Sequence, residues 1–277
     1  MSVMHQVKRG ISKFLWKERL LIPVTIPTDQ RKILSGKRAL IAGGTGQIGL
    51  CIAEELSRFG CDIVIGGTNE KKLDEIKIYH RNENWGTCVL DYSDADILEE
   101  QIEHALDSFG LCNYFISSAG VHTENVDFYT VDSNEFDRVI NINLKGTFFA
   151  ARKIIKTMID YNETGSIVLI SSSRGLEPAW SPYGVSKWGL HGLTLGLAQM
   201  CAEYGITVNA IAPGTTATSL IGYTDGDSIS SGENRIGRMA TAEEVASFTR
   251  SIIIEGSPFM TGEIISFSGG RGRFDIR

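Results

Sequence analysis

Residues 38–49 read RALIAGGTGQIG, a short apolar run that leads directly into a glycine-rich turn. Beyond the turn, apolar residues recur at helical spacing from Ile48 to Phe59, and Gly60 ends the pattern. This stretch predicts a buried strand, a tight turn and an amphipathic helix in immediate succession.

The same alternation of strand and helix continues along the chain. Further strands are predicted at 62–65, 87–90, 113–117, 166–171, 206–211 and 263–267, and helices from 70, at 94–109, 133–160 and 182–204, and from about 241. Strands separated by helices of this length imply parallel crossovers and a sheet covered on both faces. The 277 residues have the length for one large core. We predict a single α/β domain over 36–277, a Rossmann-like doubly wound parallel sheet in three αβα layers.

Two segments fall outside this pattern. Residues 1–35 mix basic and apolar residues before Pro23 and Pro27 end any helix. This N-terminal basic amphipathic arm is expected to pack on its own or a neighbouring subunit, or to lie on an anionic membrane or a partner protein. Residues 219–235 are rich in glycine, serine and aspartate without an apolar period, which favours a substrate lid.

The composition argues against several classes of protein. The net charge is -6 and the main body carries no Lys/Arg tract, so a nucleic-acid partner is not expected. No apolar run approaches the roughly 20 residues that span a bilayer, so no integral membrane segment is predicted. The five cysteines are scattered without CxxC spacing, which indicates reduced thiols, no metal site and a cytoplasmic location.

The glycine-rich turn has the features of a phosphate site. Glycines allow a tight turn and a close approach of the backbone, and the following helix offers free N–H groups and the positive end of its dipole. In this strand–turn–helix context the turn predicts the pyrophosphate of a dinucleotide, although such a turn can also be purely structural.

The end of the second strand bears on which dinucleotide is bound. Residues 66–69 contain no carboxylate, the group that would accept hydrogen bonds from the ribose of NAD and repel the extra phosphate of NADP. With Lys71 and Lys72 close by, NADP(H) is slightly favoured over NAD(H). The alternative is that Thr68 and Asn69 only make a turn.

A tyrosine and a lysine lie one turn apart at the start of a predicted helix. Ser181 suits the N-cap and Pro182 the first helical position, so Tyr183 and Lys187 share one face. A phenol normally has a pKa of about 10, and lowering it by about three units requires about 4 kcal/mol of phenolate stabilisation. A lysine ammonium and a positively charged nicotinamide ring are groups that would supply it.

Short polar motifs recur where the predicted strands end, and together they carry a resemblance. The sequence has SSAG at 117–120, NIN at 141–143, SSS at 171–173 and PG at 213–214, at the sheet edge where ligands bind. From about Lys37 to Gly270 the chain resembles a classical short-chain dehydrogenase/reductase. The stretches that carry this resemblance are YGVSK at 183–187, INLKG at 142–146, VNAIAPG at 208–214 with Thr218, and TG at 261–262 before SGG at 268–270.

The resemblance implies roles for four catalytic residues. Tyr183 would be the general acid in reduction, and Ser172 would hydrogen-bond the substrate carbonyl. Lys187 would bind the nicotinamide ribose and lower the pKa of the tyrosine, and Asn143 would hold a water of the proton relay. A homotetramer or homodimer built on the two long helices is also implied.

The resemblance further implies a set of cofactor-binding residues, with Asp91 facing the adenine and Thr218 meeting the carboxamide. The full set is Gly43, Thr45, Gly46, Gln47, Ile48, Gly49, Thr68, Asn69, Asp91, Ser118, Ala119, Gly120, Lys187, Pro213, Gly214 and Thr218.

Some positions depart from the family pattern. Ala42 and Gln47 replace a threonine and a glycine of the usual glycine motif, although the remaining glycines match the spacing of the extended branch of the family. The interval from Ser172 to Tyr183 is short, which leaves Ser171 and Ser173 as rivals for the carbonyl contact.

Several side chains follow the ends of the fourth and fifth strands. His122, Arg174, Glu177 and Trp180 are expected around the substrate opening, where Arg174 would clamp a phosphate or carboxylate or else be a solvated loop residue. His191 is expected at the surface or a subunit contact.

The leading function is hydride transfer between a nicotinamide cofactor and a ketone or secondary alcohol, with a polar small-molecule substrate suggested by the acidic lid. One alternative is a nucleotide-sugar epimerase or dehydratase of the extended type, suggested by the glycine spacing. The other is a non-catalytic cofactor-sensing scaffold, whose signature would be loss of the tyrosine or lysine.

Overall fold

The computed structural model describes residues 32–81 and 83–271. The predicted N-terminal arm, apart from residues 32–35, therefore lies outside the described residues, as does the C-terminal end of the predicted domain. Within the described ranges no helix is long and apolar enough to cross a membrane. All five cysteines are free, as predicted for reduced thiols.

One sheet of seven parallel strands runs through the centre of the described chain, in the order β3-β2-β1-β4-β5-β6-β7. This order confirms the predicted doubly wound parallel sheet. The strands are β1 (Arg38–Ala42), β2 (Asp62–Gly67), β3 (Trp85–Val89), β4 (Tyr114–Ser117), β5 (Gly165–Ile170), β6 (Ile206–Pro213) and β7 (Ile264–Phe267).

Helices connect the strands and cover both faces of the sheet. They are α1 (Gln47–Arg58), α2 (Glu70–Tyr79), α3 (Ala95–Phe109), α4 (Ser133–Ile140), α5 (Thr147–Asp160), α6 (Pro182–Cys201) and α7 (Ala242–Glu255). Strand β1 shows why two cores result, because successive side chains of a strand point to opposite faces. Leu40 packs in the cluster that contains α3, α5 and α6, and Ile41 packs in the cluster that contains α1 and α7. The predicted three-layer arrangement is confirmed.

The helix predicted as continuous over 133–160 is interrupted. A π-helical turn, Asn141–Gly146, separates α4 from α5. At Gly146 a Cβ atom would lie 2.6 Å from the backbone oxygen of Tyr92, so the helix passes close to the loop after β3. Inserted π turns often occur at functional sites, and this one contains the buried Asn143.

The helix that carries the tyrosine and lysine begins as predicted. The Ser181 hydroxyl accepts a hydrogen bond from the Gly184 N–H over 3.1 Å, and Pro182 occupies the first turn. The N-cap thus satisfies a free amide of the first turn. Strands β1 and β4 are neighbours at the point where the strand order reverses, so the cleft beyond their carboxyl ends is the expected ligand site.

Candidate active site

The glycine loop after β1 packs directly on the backbone that follows β4. Gly43 has a φ of +69°, and a Cβ atom there would lie 2.5 Å from the backbone nitrogen of Ala119 and 2.7 Å from the carbonyl carbon of Ser118. Only glycine meets both requirements without strain. The two predicted cofactor segments are therefore in contact at the strand-order reversal.

The loop also presents the start of α1 toward this cleft. Gly46 precedes the helix and its position carries no side-chain cap, so the first N–H groups of α1 are available to a phosphate. A Cβ atom at Gly49 would lie 2.5 Å from the Gly43 oxygen, which explains the glycine one turn into the helix. This geometry fits the pyrophosphate of a dinucleotide.

Gln47, which replaces a glycine of the family pattern, has a specific partner. Its side-chain oxygen accepts a hydrogen bond from the backbone N–H of Ser219 over 2.5 Å. The residue thus joins the glycine loop to the first residue of the predicted lid. This contact was not predicted, because the two residues are 172 positions apart in sequence.

The residues at the ends of β2 and β3 make local contacts. The Asn69 side-chain oxygen caps α2 by accepting from the Lys72 N–H over 3.0 Å, which agrees with the simpler turn interpretation of this position. Asp91 accepts hydrogen bonds from the backbone and hydroxyl of Ser93. Cofactor contacts of Thr68, Asn69 and Asp91 stay predictions.

The reacting groups meet in one cavity of about 410 Å³ at the carboxyl ends of β4, β5 and β6. Many predicted site residues line it: Ile48, Ser118, Gly120, Ser172, Tyr183, Lys187, Pro213, Gly214 and Thr218. Other lining residues follow β6, lie in the predicted lid or lie beyond β7, and these were not among the predicted site residues: Thr215, Thr216, Leu220, Ile221, Glu233 and Arg271.

Three serines follow β5, and their contacts separate their roles. The Ser172 hydroxyl interacts with the Tyr183 side chain and lowers the pKa of this phenol. The Ser171 hydroxyl instead lies 2.8 Å from Nε2 of His191. Ser173 begins a short 3₁₀ turn and is buried. Ser172 is thus the serine of the three that acts on the phenol, and its contact with a substrate carbonyl stays a prediction.

The contact with Ser171 also corrects the expectation for His191. This histidine is buried, with 5% of its surface exposed, rather than lying at the surface. Burial lowers the pKa of His191, because the charged imidazolium loses its solvation. His191 thus contacts the serine segment from α6.

Lys187 lies beneath the tyrosine in a nearly dry environment. Its Nζ donates to the Ile170 oxygen over 3.2 Å and lies 5.5 Å from the centre of the Tyr183 ring. Burial lowers the pKa of Lys187 to about 8. A Cβ atom at Gly120 would lie 3.6 Å from the same Nζ, so the segment after β4 leaves room for the ammonium.

The protonation of Tyr183 follows from its burial. Burial raises the pKa of the phenol, and the Ser172 hydroxyl and the charge of Arg174 lower it without cancelling the effect. A raised pKa keeps the phenol protonated near neutrality, which is the form that a general acid requires. A lowering of this pKa by Lys187 stays a prediction.

Asn143 clamps the segment after β4. Its Oδ1 accepts from the Val121 N–H over 2.8 Å, and its Nδ2 donates to the Val121 oxygen over 2.9 Å and to the Ser186 hydroxyl over 3.1 Å. The π turn therefore places the buried amide of Asn143 where it hydrogen-bonds both the segment after β4 and α6. A water-holding role in a proton relay stays a prediction.

The four residues expected around the substrate opening lie close to Tyr183 or to its partners. The His122 ring stacks on the Tyr183 ring with centroids 4.3 Å apart. His122, Arg174 and Trp180 line an outer cavity of about 230 Å³, which shares Tyr183 with the main cavity. Glu177 pairs with Arg174 over 3.0 Å. Among the described residues no cluster of three or more His, Cys, Asp or Glu is placed to hold a metal ion.

The chain matches the short chain dehydrogenase family over residues 37–227. A 3-oxoacyl-(acyl-carrier-protein) reductase of Rickettsia conorii is 32% identical over 242 residues, which cover 86% of this chain and 97% of that protein. A tropinone reductase homolog of Arabidopsis thaliana is 32% identical over 259 residues, which cover 88% of this chain and 95% of the relative.

Solved structures agree with this match. A variant actinorhodin polyketide ketoreductase with NADPH gives a TM-score of 0.76 at 25% identity, covering 86% of this chain and 98% of that chain. A putative gluconate dehydrogenase from Agrobacterium tumefaciens gives a TM-score of 0.79 at 26% identity, covering 89% and 100%. The chain therefore belongs to the short chain dehydrogenase family and is an NAD(P)-dependent oxidoreductase.

Proposed function

We propose that this oxidoreductase interconverts a polar ketone and its secondary alcohol, with Tyr183 as the acid in reduction and the base in oxidation. The observation that carries the proposal is the meeting of Tyr183, Ser172 and Lys187 in one cavity that continues from the glycine loop. Such a cavity joins a proton donor to a cofactor groove.

The chain's own residues provide the proton and the orientation. A substrate carbonyl oxygen next to Tyr183 and Ser172 would accept hydrogen bonds from both hydroxyls. When bound, the nicotinamide supplies a hydride, which adds to the carbonyl carbon. The phenol of Tyr183 gives its proton to the carbonyl oxygen, so one hydride and one proton convert the ketone into the alcohol. The Lys187 ammonium, held by the Ile170 oxygen, then stabilises the phenolate.

The cofactor is proposed to lie along the glycine loop, with its pyrophosphate at the start of α1 and its nicotinamide end near Lys187, Thr218 and Gly214. NADP(H) is slightly favoured because residues 66–69 offer no carboxylate to repel the extra phosphate. A structural relative is described with NADPH, which supports the same preference.

The chemistry of the cavity supports a polar substrate. Its wall includes Ser173, Arg174, Glu233 and Arg271 beside the reacting groups. A relative described as a putative gluconate dehydrogenase would act on a polar, hydroxylated acid, and this makes a sugar derivative a reasonable first substrate class. The relative named for 3-oxoacyl carrier substrates makes acyl thioesters the second class to test.

A homotetramer or homodimer in the cytoplasm is part of the proposal. Large apolar side chains are exposed on the two long helices, namely Phe148 on α5 and Val185, Trp188, Leu195 and Met200 on α6. Apolar groups placed together on a surface commonly mark a protein interface. Reduced thiols suit the cytoplasm.

The test begins with fluorescence titrations of the purified protein with NADPH and, separately, NADH. We expect both to bind, NADPH more tightly, and we expect turnover in a screen of sugar-derived ketones, secondary alcohols and short acyl thioesters. Failure of a folded protein to bind either cofactor would contradict the proposal and favour the non-catalytic scaffold. A cofactor that never exchanges during turnover would favour the epimerase alternative.

A further inference from the structure

Arg174 stands at the junction of two cavities, next to the reacting groups. It lines the main cavity with Ser172 and Tyr183, and it also lines the outer cavity with His122 and Trp180. Its backbone N–H donates to the Ser172 hydroxyl over 3.2 Å, so its side chain begins beside the residue that would hold a substrate carbonyl. A group attached close to the reacting carbon is therefore within reach of the guanidinium.

The side chain of Arg174 is only lightly held. Its Nη1 donates to Oε2 of Glu177 over 3.0 Å, and 51% of the side chain is exposed. Exposed ion pairs contribute little to stability. A guanidinium has five N–H donors in a planar fork that matches a carboxylate or phosphate. Arg174 can therefore exchange Glu177 for an oxyanion of a ligand at little cost.

Glu177, by contrast, is held by two further contacts. Its Oε1 accepts from Nε of Arg271 over 2.9 Å, and both side chains of this pair are largely buried. Its backbone oxygen accepts from Nε1 of Trp188 over 2.7 Å. When Arg174 turns to a ligand, Glu177 keeps Arg271 as its counter-ion, so no buried carboxylate is left unpaired.

The charge of the cavity wall favours an anion. The described lining residues include three cations, Arg174, Lys187 and Arg271, and one carboxylate, Glu233. Arg271 is shared between Glu233 and Glu177, so these groups together comprise three cations and two carboxylates. This local excess of positive charge lies in a chain whose net charge is -6. A cleft lined by one sign of charge concentrates ligands of the opposite sign.

We infer that Arg174 recognises a carboxylate or phosphate that the substrate carries close to its reacting carbonyl, exchanging Glu177 for that oxyanion. The inference rests on the proposed ketone reduction, because it places the anion relative to Tyr183. Arg174 is then a specificity-determining residue that separates charged ketones from neutral ones.

The test compares ketones that differ only in this charge. Acetoacetate and levulinate are paired with their methyl esters, and dihydroxyacetone phosphate is paired with dihydroxyacetone. Each is reduced with NADPH by the wild-type protein, by Arg174→Met and by Arg58→Met. Arg58 is the matched control because it forms a similar exposed ion pair with Glu55 at i,i+3 spacing and does not line the described cavities.

We expect the wild-type protein and Arg58→Met to prefer the charged member of at least one pair by about tenfold or more in kcat/KM. Arg174→Met should reduce that preference to less than about threefold, because any change in the pKa of Tyr183 acts on the charged and the neutral ketone alike and cancels in their ratio. The pair that responds distinguishes carboxylate from phosphate. Equal turnover of charged and neutral members in the wild type, or a preference that survives in Arg174→Met, would overturn the inference.

Calorimetric titration of the same acids and the sugar phosphate into the NADP⁺ complex separates this inference from the proposed function. Binding that is lost in Arg174→Met, without turnover of any ketone or alcohol, would support anion recognition and contradict the proposed reaction. Turnover of neutral ketones without measurable binding of any anion would support the reaction and contradict the role of Arg174.

Discussion

The two ends of the active-site cleft are built from different parts of the chain. At the end proposed to bind the cofactor, Gly43 and Gly49 allow backbone segments to touch, and the amides at the start of α1 are available to a phosphate. At the substrate end, charged side chains from separate loops meet around Arg271 and Glu177. The first end depends on backbone contacts of one strand–turn–helix unit with the segment after β4, and the second depends on side-chain contacts between distant loops.

This difference indicates that cofactor binding and substrate choice can change independently. A backbone groove for a dinucleotide tolerates little variation, because an added methyl group meets main-chain atoms that cannot move aside. Side chains on loops can be exchanged without altering the fold, and substrate choice commonly varies there. Substitutions at the two ends should therefore damage cofactor binding and substrate choice separately.

The largest effect is expected at the cofactor end from Gly43→Ala. The positive φ and the contact with the Ala119 backbone together should destabilise the protein by about 2–5 kcal/mol and weaken NADPH binding. Urea unfolding and a fluorescence titration measure both quantities. Gly232→Ala is the control, because nothing lies within 4 Å of its added methyl group. Equal stability and equal NADPH affinity of the two variants would contradict the close backbone contact.

Asn143→Leu should remove the hydrogen bonds by which Asn143 joins the segment after β4 to α6. Loss of the amide leaves the Val121 N–H and carbonyl without their partner, which should cost about 2–4 kcal/mol. Asn209→Leu is a matched control, since Asn209 is also buried and holds the backbone of Met260 and Glu263. Both variants should lose stability in urea unfolding, but only Asn143→Leu should lower kcat at saturating NADPH. An equal kcat for the two variants would argue against a role of Asn143 in the site.

The buried ammonium of Lys187 should give stability a distinctive pH dependence. Its pKa of about 8 in the folded protein lies below that of a lysine in the unfolded chain. Above about pH 8 the unfolded chain binds more protons at this residue, so its contribution to the free energy of unfolding rises with pH. We therefore compare the free energy of unfolding of Lys187→Met with that of the wild type. From about pH 7.5 to 9.5 this difference should shift by about 2 kcal/mol in favour of the wild type.

Denaturation of both proteins across this pH range measures the effect. Lys156→Met is the control, because the Lys156 side chain is 70% exposed and its removal should leave the pH dependence unchanged. If the free energy of unfolding changes with pH in the same way for the wild type and Lys187→Met, the lysine is solvated in both the folded and the unfolded protein.

The smallest effect on stability is expected at the substrate end from Arg271→Met. Loss of this partly buried partner of Glu177 should destabilise the protein by about 1–2 kcal/mol. Because Arg271 also pairs with Glu233 in the lid, the KM for substrate should rise while the Kd of NADPH stays unchanged. A parallel loss of NADPH affinity would show that the two ends of the cleft are not independent.

Much of the fold was predictable because its signals are local. Strand β1 occupies the apolar run before the glycine-rich turn, as predicted, and α6 begins at Pro182 as its Ser181 cap indicated. The π turn at Asn141–Gly146 was not predicted, because an inserted residue changes the helix without changing its apolar composition. Sequence patterns report periodicity, whereas such an insertion depends on tertiary contacts like that of Gly146 with Tyr92.

The active site likewise contains some residues with a local sequence signal and others that only tertiary contacts reveal. Tyr183 and Lys187 were predicted from their four-residue spacing together with the surrounding motifs that carry the family resemblance. Arg271 carried no local signal, since its partners Glu177 and Glu233 are 94 and 38 residues away. The choice of Ser172 over Ser171 likewise depended on His191, whose position against the serine segment only the packing of α6 reveals.

The most direct test of the account is the turnover of Tyr183→Phe, measured with its NADPH affinity in the same preparation. Removing the phenolic hydroxyl takes away the proton donor and leaves the cofactor groove intact. The account predicts a kcat lower by about 10²–10⁴-fold with NADPH binding unchanged. Wild-type turnover in this variant would contradict the assignment of Tyr183 as the catalytic acid.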